Sequence, residues 1–442
     1  MEIQNKKYSS PRISTEIHDC ALPLTFDQYS RCSFGCLYCF AAMQRCNAKG
    51  VADSFRAGEV SSVNVEKIKS MFLGQIEKGP GRYLYETLIK KRIPLHWGGL
   101  GDPADEYERN AKVGLELIGF FREINYPVFQ CFKGNTFHTE PEYAEVFRGA
   151  DNFAHQFSII SLDEEKCKKV EKGTPNPWER LRCMEVSSKE WGLPVYLRLR
   201  PYIVGMSDET AEQLLEESAK RGAKAVSIEF MCLDIRADEF LMKRYRAMSE
   251  AVGFDIYDFY KCNSRTGETY RRLSPEVKMP ILLRLRNVAH KLGMRFAVSG
   301  PIGKHLNDTG CCCGLPDDGG VWGNWSDAQF TSALLKSKSC GECSFKGMLG
   351  TRFGIEHLTD LGRHSNKGEI AVGQWINLGS SDKHATWHDA NLEDWLRFAW
   401  NQPKRASSPA SYFWGLMAPD RLDEDDDIVY KYNPKAFEGA DK

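Results

Sequence analysis

The run Arg31-Cys32-Ser33-Phe34-Gly35-Cys36-Leu37-Tyr38-Cys39-Phe40 carries three thiols at intervals of four and three residues. Thiolates so close along the chain can converge on one metal centre without a long backbone detour. A cubane of four irons needs four ligands, so three thiolates leave one iron open to bind and activate a small molecule. That marks a reactive centre rather than a structural one. Cys-x2-Cys also opens many zinc sites, and an intracellular cysteine is often only a small buried hydrophobe. The additional Cys32, Gly35 beside the middle cysteine and aromatic Tyr38 before the last are not what a zinc knuckle needs, which favours the cluster.

A second group of thiols lies far downstream, in Asp308-Thr309-Gly310-Cys311-Cys312-Cys313-Gly314 and Ser339-Cys340-Gly341-Glu342-Cys343. A second iron–sulfur cluster would take Cys340, Cys343 and two of Cys311, Cys312 and Cys313. A zinc site of four thiolates would need the same residues. The company of the first cluster favours iron–sulfur. Adjacent and separated pairs from the triple are both compatible with the spacing.

Strands must deliver these loops. Residues 24–29 read as a short strand ending at the first cysteine loop. Asn64 reads as the N-cap of a helix with Val65, Ile68, Phe72 and Ile76 at helical spacing, ended by Gly79-Pro80-Gly81. An apolar strand over 93–97 stops at Gly98-Gly99-Leu100-Gly101-Asp102-Pro103, where glycines would let backbone approach a ligand. An ordinary turn is the plainer reading of that cluster.

Further strands are expected over 128–133, ending in Lys133; over 153–160, carrying Ser158; over 195–200, carrying Arg198 and Arg200; over 225–230, carrying Glu229; and over 295–298. Helices are expected over 113–121, through Leu181 and Met184, after a Ser207-Asp208-Glu209 cap, and over 281–292. Strands alternating with helices argue for parallel βα units. Right-handed crossovers stack such units into a barrel or part-barrel with functional loops at the strand C-terminal ends. The cysteine loop, the glycine cluster, Lys133 and Ser158 all fall at such ends.

The cysteine motif with its aromatic residue resembles the signature of the radical S-adenosylmethionine enzymes. Ser158-Ile159-Ile160-Ser161, Glu171-Lys172-Gly173-Thr174-Pro175-Asn176-Pro177-Trp178-Glu179-Arg180-Leu181 and Arg198-Leu199-Arg200-Pro201 resemble motifs of the spore photoproduct lyase-like branch, over roughly residues 20–315. The resemblance implies a partial (β/α)6 TIM-type barrel and a [4Fe-4S] cluster on Cys32, Cys36 and Cys39. It implies S-adenosylmethionine bound at the open iron and cleaved reductively to a 5'-deoxyadenosyl radical that takes a hydrogen atom from the substrate. It places Tyr38 near the adenine and Gly98 and Gly99 near the methionine amino group. Asp102, Lys133, Ser158 and Arg198 supply the remaining cofactor contacts, with Lys133 suited to the carboxylate. A small electron-donor protein of flavodoxin or ferredoxin type is the implied partner. The hydrogen-donating cysteine of spore photoproduct lyase is missing between Gly98 and Asp102. Cys131 and Cys232, at other strand ends, are the candidates for that role.

The 442 residues, 42% hydrophobic, suffice for one large domain or two ordinary ones. The polar start and the lack of a long apolar run give no signal peptide or membrane span, so the cytoplasm is the expected compartment and no membrane partner is expected. Fifteen cysteines then suit metal ligation and buried thiols better than disulfides. A formal net charge of -1 excludes a global field that would attract nucleic acid without sequence preference, leaving a local basic groove open. The expected layout is an N-terminal extension (1–22), the barrel (23–305), a cysteine-rich region (306–350) and a cap (351–442) built on Trp375, Trp387, Trp395, Trp400 and Trp414. In the cap, 423–427 reads as a solvated acidic turn and 429–432 as an edge strand.

The expected function is radical chemistry of lyase or isomerase type on a modified nucleobase, with DNA or a nucleoside as substrate. The alternatives are modification of a peptide or small metabolite, and a structural zinc protein that binds nucleic acid.

Overall fold

A computed structural model describes residues 10–14, 17–42, 52–264, 270–316, 322, 329–349 and 392–437. Trp375 and Trp387, half of the expected cap and the side chain of Trp395 lie outside the described residues. Two compact units comprise the chain: Met1–Pro11, Phe26–Val65 and His96–Gly300 form one, and Arg12–Thr25, Glu66–Leu95 and Pro301–Lys442 form the other. Among the described residues no helix is long and apolar enough to cross a membrane.

The strands are β1 (Arg12–Ile13), β2 (Leu24–Phe26), β3 (Leu95–Trp97), β4 (Val128–Phe132), β5 (Phe153–Ser158), β6 (Val195–Tyr202), β7 (Ala223–Phe230), β8 (Leu233–Asp234), β9 (Tyr270–Arg271), β10 (Arg295–Val298), β11 (Glu342–Cys343), β12 (Met417–Leu422) and β13 (Ile428–Tyr432). Eight of them form one sheet in the order β1-β2-β3-β4-β5-β6-β7-β10. β4, β5, β6, β7 and β10 run parallel in succession, and β1 is antiparallel to β2. Crossover helices such as Val113–Glu123, Pro177–Glu185, Ala211–Lys220 and Pro275–Lys291 separate them. The fold is thus the α/β part-barrel that the alternation predicts.

Parallel strands covered on both faces read as near-continuous apolar runs. Every residue of β4 and β5 is buried, including Gln130, His155 and Gln156. Buried polar groups need partners. The His155 imidazole hydrogen-bonds Ser187 through Nδ1 (2.9 Å) and Gln130 through Nε2 (3.1 Å), and His138 Nε2 meets the same Ser187 hydroxyl at 2.8 Å. Burial, and then His138, hold the His155 pKa well below the ordinary value. The unfolded chain therefore binds a proton there that the folded chain does not. This contribution to stability is complete above about pH 6.5 and is lost as pH falls below it, at up to about 1.4 kcal/mol per pH unit. Urea unfolding midpoints should fall steadily from pH 7 towards pH 4.5. His155→Gln should flatten that decline, and an unchanged pH profile in the variant would contradict the assignment.

Several sequence expectations are corrected at element ends. β2 stops at Phe26, because the Asp27 carboxylate turns away to accept from Leu100 N (2.9 Å) and Gly101 N (2.8 Å). The helix from Val65 ends at Phe72, short of Ile76. Ser207 and Asp208 do not cap the next helix, which begins after Thr210. Their side chains close a turn instead, Ser207 Oγ accepting from Ile203 N and Asp208 from Gly205 N and the Tyr202 hydroxyl. The helix expected from 281 begins at Pro275, and Pro280 lies within it.

In the second unit β13 is no edge strand. It is the middle of a sheet ordered β11-β13-β12, its far side taken by the two-residue β11, too short to be visible as a pattern. Nor is the acidic run wholly solvated: Asp427 is buried, bonded to Arg397 (2.8 Å) and Asn401 (2.6 Å). Asp19 is likewise buried, paired with Lys304 and bonded to Thr331 N (2.9 Å).

Candidate active site

The cysteine loop is pinned from outside. Gly35 N and Leu37 N donate to the carbonyls of Lys172 (3.1 Å) and Val170 (2.8 Å), and Glu171 between them accepts from the Tyr38 hydroxyl. Three consecutive residues thus clamp the loop. Glu171 is in turn paired with Arg180 at 2.6 Å, both fully buried, and Arg180 also donates to Ser158 O (2.9 Å), Thr174 Oγ1 (2.8 Å) and Pro175 O (2.8 Å). Arg244 donates to the carbonyls of Leu37 (3.0 Å) and Cys36. Ser33 N donates to Asp105 at 2.6 Å.

Within the clamp, Cys36 is buried and Cys32 and Cys39 are half-buried. Burial pushes the Cys32 thiol well up, and Cys39 and Cys36 follow as causes, so the three sulfurs stand near enough to repel one another as thiolates. Burial pushes Cys36 up to about 12, while the nearby Lys133 acts the other way. Among the described residues no three His, Cys, Asp or Glu side chains gather tightly enough for a single metal ion. The ligands of a cubane each hold a different iron and so stand farther apart than the ligands of one ion. A loop of three neighbouring thiols, Cys36 buried and the other two half-buried, pinned from outside through its backbone, fits an iron cluster.

The glycine cluster serves the fold first. Gly98 has φ +102, and a Cβ there would stand 2.1 Å from the Cys131 carbonyl oxygen. Its missing side chain is therefore required by the neighbouring strand, whatever ligand approaches. Gly98→Ala should destabilise by about 3 kcal/mol from strain and overpacking, read by urea denaturation; a loss under about 1 kcal/mol would show that β3 and β4 can part there. Asp102 is buried, its carboxylate accepting from Lys133 N (2.6 Å), Ala104 N (3.0 Å) and Gly134 N (3.3 Å). It ties the glycine loop to the end of β4.

Lys133 sits over the Tyr38 ring, with Nζ 5.6 Å from the ring centroid. The sequence-selected Tyr38, Lys133 and Cys36 are thus neighbours. Ser158, at the end of β5, gives its carbonyl to Arg180. Arg198 lies opposite Ser158 on β6 but points its Nη1 to Cys131 Sγ at 2.5 Å, while the Cys131 thiol donates to Gln156 Oε1 at 3.1 Å. Cys232, beyond β7, hydrogen-bonds Tyr270, with Arg272, Glu229 and Lys278 nearby. The two candidate hydrogen donors therefore occupy different surroundings.

In the second unit Cys311, Cys313 and Cys343 are buried, Cys312 is half-buried and Cys340 is exposed. Burial pushes the Cys343 thiol up to about 12, with Lys336 acting the other way and Cys340, at the end of the helix Phe330–Cys340, adding to the rise.

The clamping roles of Glu171, Arg180 and Arg244 were not assigned from the sequence. Glu171 and Arg180 carried a signal, because they fall in the motif quoted for the resemblance. Asp105 also carried one, as the N-cap of the helix Glu106–Ala111. Arg244, some two hundred residues from its partners, carried none.

No family model matches the chain, and no curated protein sequence matches it. Among solved structures, the chain is similar to spore photoproduct lyase complexed with dinucleoside spore photoproduct. That match has 14% identity over 62% of this chain and 75% of that one, with a TM-score of 0.43. It is also similar to SuiB of Streptococcus suis bound to S-adenosylmethionine, at 12% identity over 65% of this chain and 53% of that one, with a TM-score of 0.40. The chain spans about half the length of SuiB.

Proposed function

We propose that the chain is a radical S-adenosylmethionine enzyme acting on a modified nucleobase, in DNA or as a nucleoside. The observation that carries the reading is the pinned loop of Cys32, Cys36 and Cys39, whose backbone is held by Val170, Lys172 and Arg244 and whose sulfurs stand near one another. Bound there by Cys32, Cys36 and Cys39, a cluster would supply the electron for reductive cleavage of S-adenosylmethionine and so the means of abstracting a hydrogen atom from the substrate. Lys133, beside Cys36 and over Tyr38, offers a cation to the methionine carboxylate. The Tyr38 hydroxyl is spent on Glu171, so Tyr38 presents only its ring to the adenine. Gly98 and Gly99 offer backbone to the amino group, and Asp102 acts by holding that backbone rather than by touching the cofactor. Cys131 and Cys232 are the candidates to return a hydrogen atom to the product. A base within duplex DNA must be flipped out to reach such an interior.

Cys340, Cys343 and two of Cys311, Cys312 and Cys313 would hold a second cluster, with zinc as the alternative occupant. The electron would come from a small flavodoxin- or ferredoxin-type protein in a cytoplasmic setting. The test is to reconstitute the chain anaerobically, reduce it, and measure 5'-deoxyadenosine with DNA, nucleosides and peptides as candidates. About eight irons per chain would mean two cubanes, and about four would leave the distal thiols to zinc or to none. A loaded, reduced protein that cleaves no S-adenosylmethionine with any of these would overturn the reading.

A further inference from the structure

Arg198 on β6 and Glu229 on β7 are opposite charges on neighbouring parallel strands that do not pair. Arg198 stands opposite Ser227 in the register, and Glu229 follows Ser227 by two residues. The two-residue alternation of a strand therefore puts Arg198 and Glu229 on the same face of the sheet, one pleat apart. Cys131 belongs to that face, since its sulfur receives the Arg198 Nη1. Both charged side chains are half-buried.

At this separation a guanidinium and a carboxylate ordinarily collapse onto each other, because each has lost part of its hydration and the other is the nearest compensation. Here the guanidinium leans the other way, across β5 to β4. Among the described residues its one hydrogen bond is to the neutral sulfur of Cys131, which leaves most of its five N–H donors unspent. Glu229 makes no hydrogen bond and no ion pair among the described residues. It shares its surroundings with Cys232 and Tyr270 and with the cations Arg272 and Lys278, neither of which forms an ion pair or hydrogen bond with it among the described residues. A separated donor fork and acceptor on one face, Arg198 level with the last residue of β5 and Glu229 one residue from the end of β7, form a complementary pair of subsites.

We propose that this pair recognises the substrate: Arg198 receives a carboxylate or phosphate group, and Glu229 accepts from a hydrogen-bond-donating nitrogen of the same small molecule. This rests on the radical-enzyme reading above and narrows its substrate to the anion-bearing members of the class rather than a neutral nucleoside. The cation assigned to the cofactor, Lys133, is a different one. Arg198, selected from the sequence as a cofactor contact, is here a substrate residue.

Cys131 makes the site testable without knowing the substrate, because its sulfur touches Arg198. The full chain, reconstituted with iron and sulfide so that Cys32, Cys36 and Cys39 are occupied, is treated in parallel with iodoacetate and iodoacetamide. Mass spectrometry then reads alkylation at Cys131, with exposed Cys262 as the internal reference. The iodoacetate-to-iodoacetamide ratio cancels any change in the intrinsic reactivity of the thiol and leaves the attraction for the anion. Arg198→Gln should lower that ratio about fourfold or more, as a unit charge roughly 5 Å away does even at the dielectric of water, and Glu229→Gln should raise it. Inorganic phosphate and acetate, compared with chloride at equal ionic strength, should each slow iodoacetate at Cys131. The stronger protector identifies the anionic group.

A ratio unmoved by Arg198→Gln, protection by neither anion, or no alkylation of Cys131 while Cys262 reacts would each overturn the proposal. Alkylation of Cys32, Cys36 and Cys39 in the same samples, or absence of 5'-deoxyadenosine from them, would count against the radical reading instead. Those two readouts are independent of the Cys131 ratio.

Discussion

Cys36→Ala is expected to reduce the iron held by the first centre and the cleavage of S-adenosylmethionine together, each by at least about 100-fold, exceeding the loss usual for an outer-shell partner. The fold should survive. Cys36 is buried in a loop whose backbone carries the contacts: Gly35 N, Leu37 N and the Cys36 and Leu37 carbonyls are held by Lys172, Val170 and Arg244. Removing the sulfur deletes one ligand without touching that clamp. Urea unfolding of the metal-free variant should match that of the metal-free parent within about 1 kcal/mol. Iron and sulfide analysis beside a 5'-deoxyadenosine assay decides the matter. Full iron and undiminished cleavage in Cys36→Ala would remove the loop from the chemistry altogether. Zinc in place of iron in the anaerobic parent would move the chain to the structural zinc reading.

Arg180→Met should be the most damaging single change to stability, at about 3–5 kcal/mol. Arg180 and Glu171 have side chains 1% and 0% exposed, so losing the cation strands a carboxylate in the interior. The guanidinium also ties Ser158, Thr174 and Pro175, and those acceptors lose their donor. The double variant Arg180→Met with Glu171→Gln should recover much of the loss, because a neutral amide in place of the carboxylate removes the unpaired charge and can still accept from Tyr38. Urea denaturation of both variants tests this. A single variant destabilised by under about 1 kcal/mol, or a double variant no better than the single, would show the pair to be dispensable. Since residues 170–172 also clamp the cysteine loop, iron retention should fall in the single variant and return partly in the double.

The βα alternation was legible because each parallel strand is a buried apolar run bounded by turn residues, and the expected barrel strands are present, that over 295–298 with the same bounds and the others with shifted ends. The shifts have local causes that no pattern carries: the turn of Asp27 towards Leu100 and Gly101, and the use of Ser207 and Asp208 to close a turn rather than cap a helix. At the site, the residue types were legible and their allegiances were not. Asp102 and Gly98 were selected for a ligand, and both serve the junction of β3 with β4. Arg198 was selected for the cofactor, and the structure places its guanidinium against Cys131.

By itself the sequence determined the chemistry that is local in the chain: three thiols within eight residues, an aromatic side chain beside the last, and glycines where a strand must stop. Short spacing limits the places such groups can go, so the order of residues suffices to specify them. Only the tertiary structure decided what holds that chemistry in place. The Glu171–Arg180 clamp, Arg244 on the loop carbonyls and the lean of Arg198 towards Cys131 depend on which strands become neighbours and which way side chains turn. Those are properties of the folded sheet, set by burial and register, and no spacing along the chain encodes them.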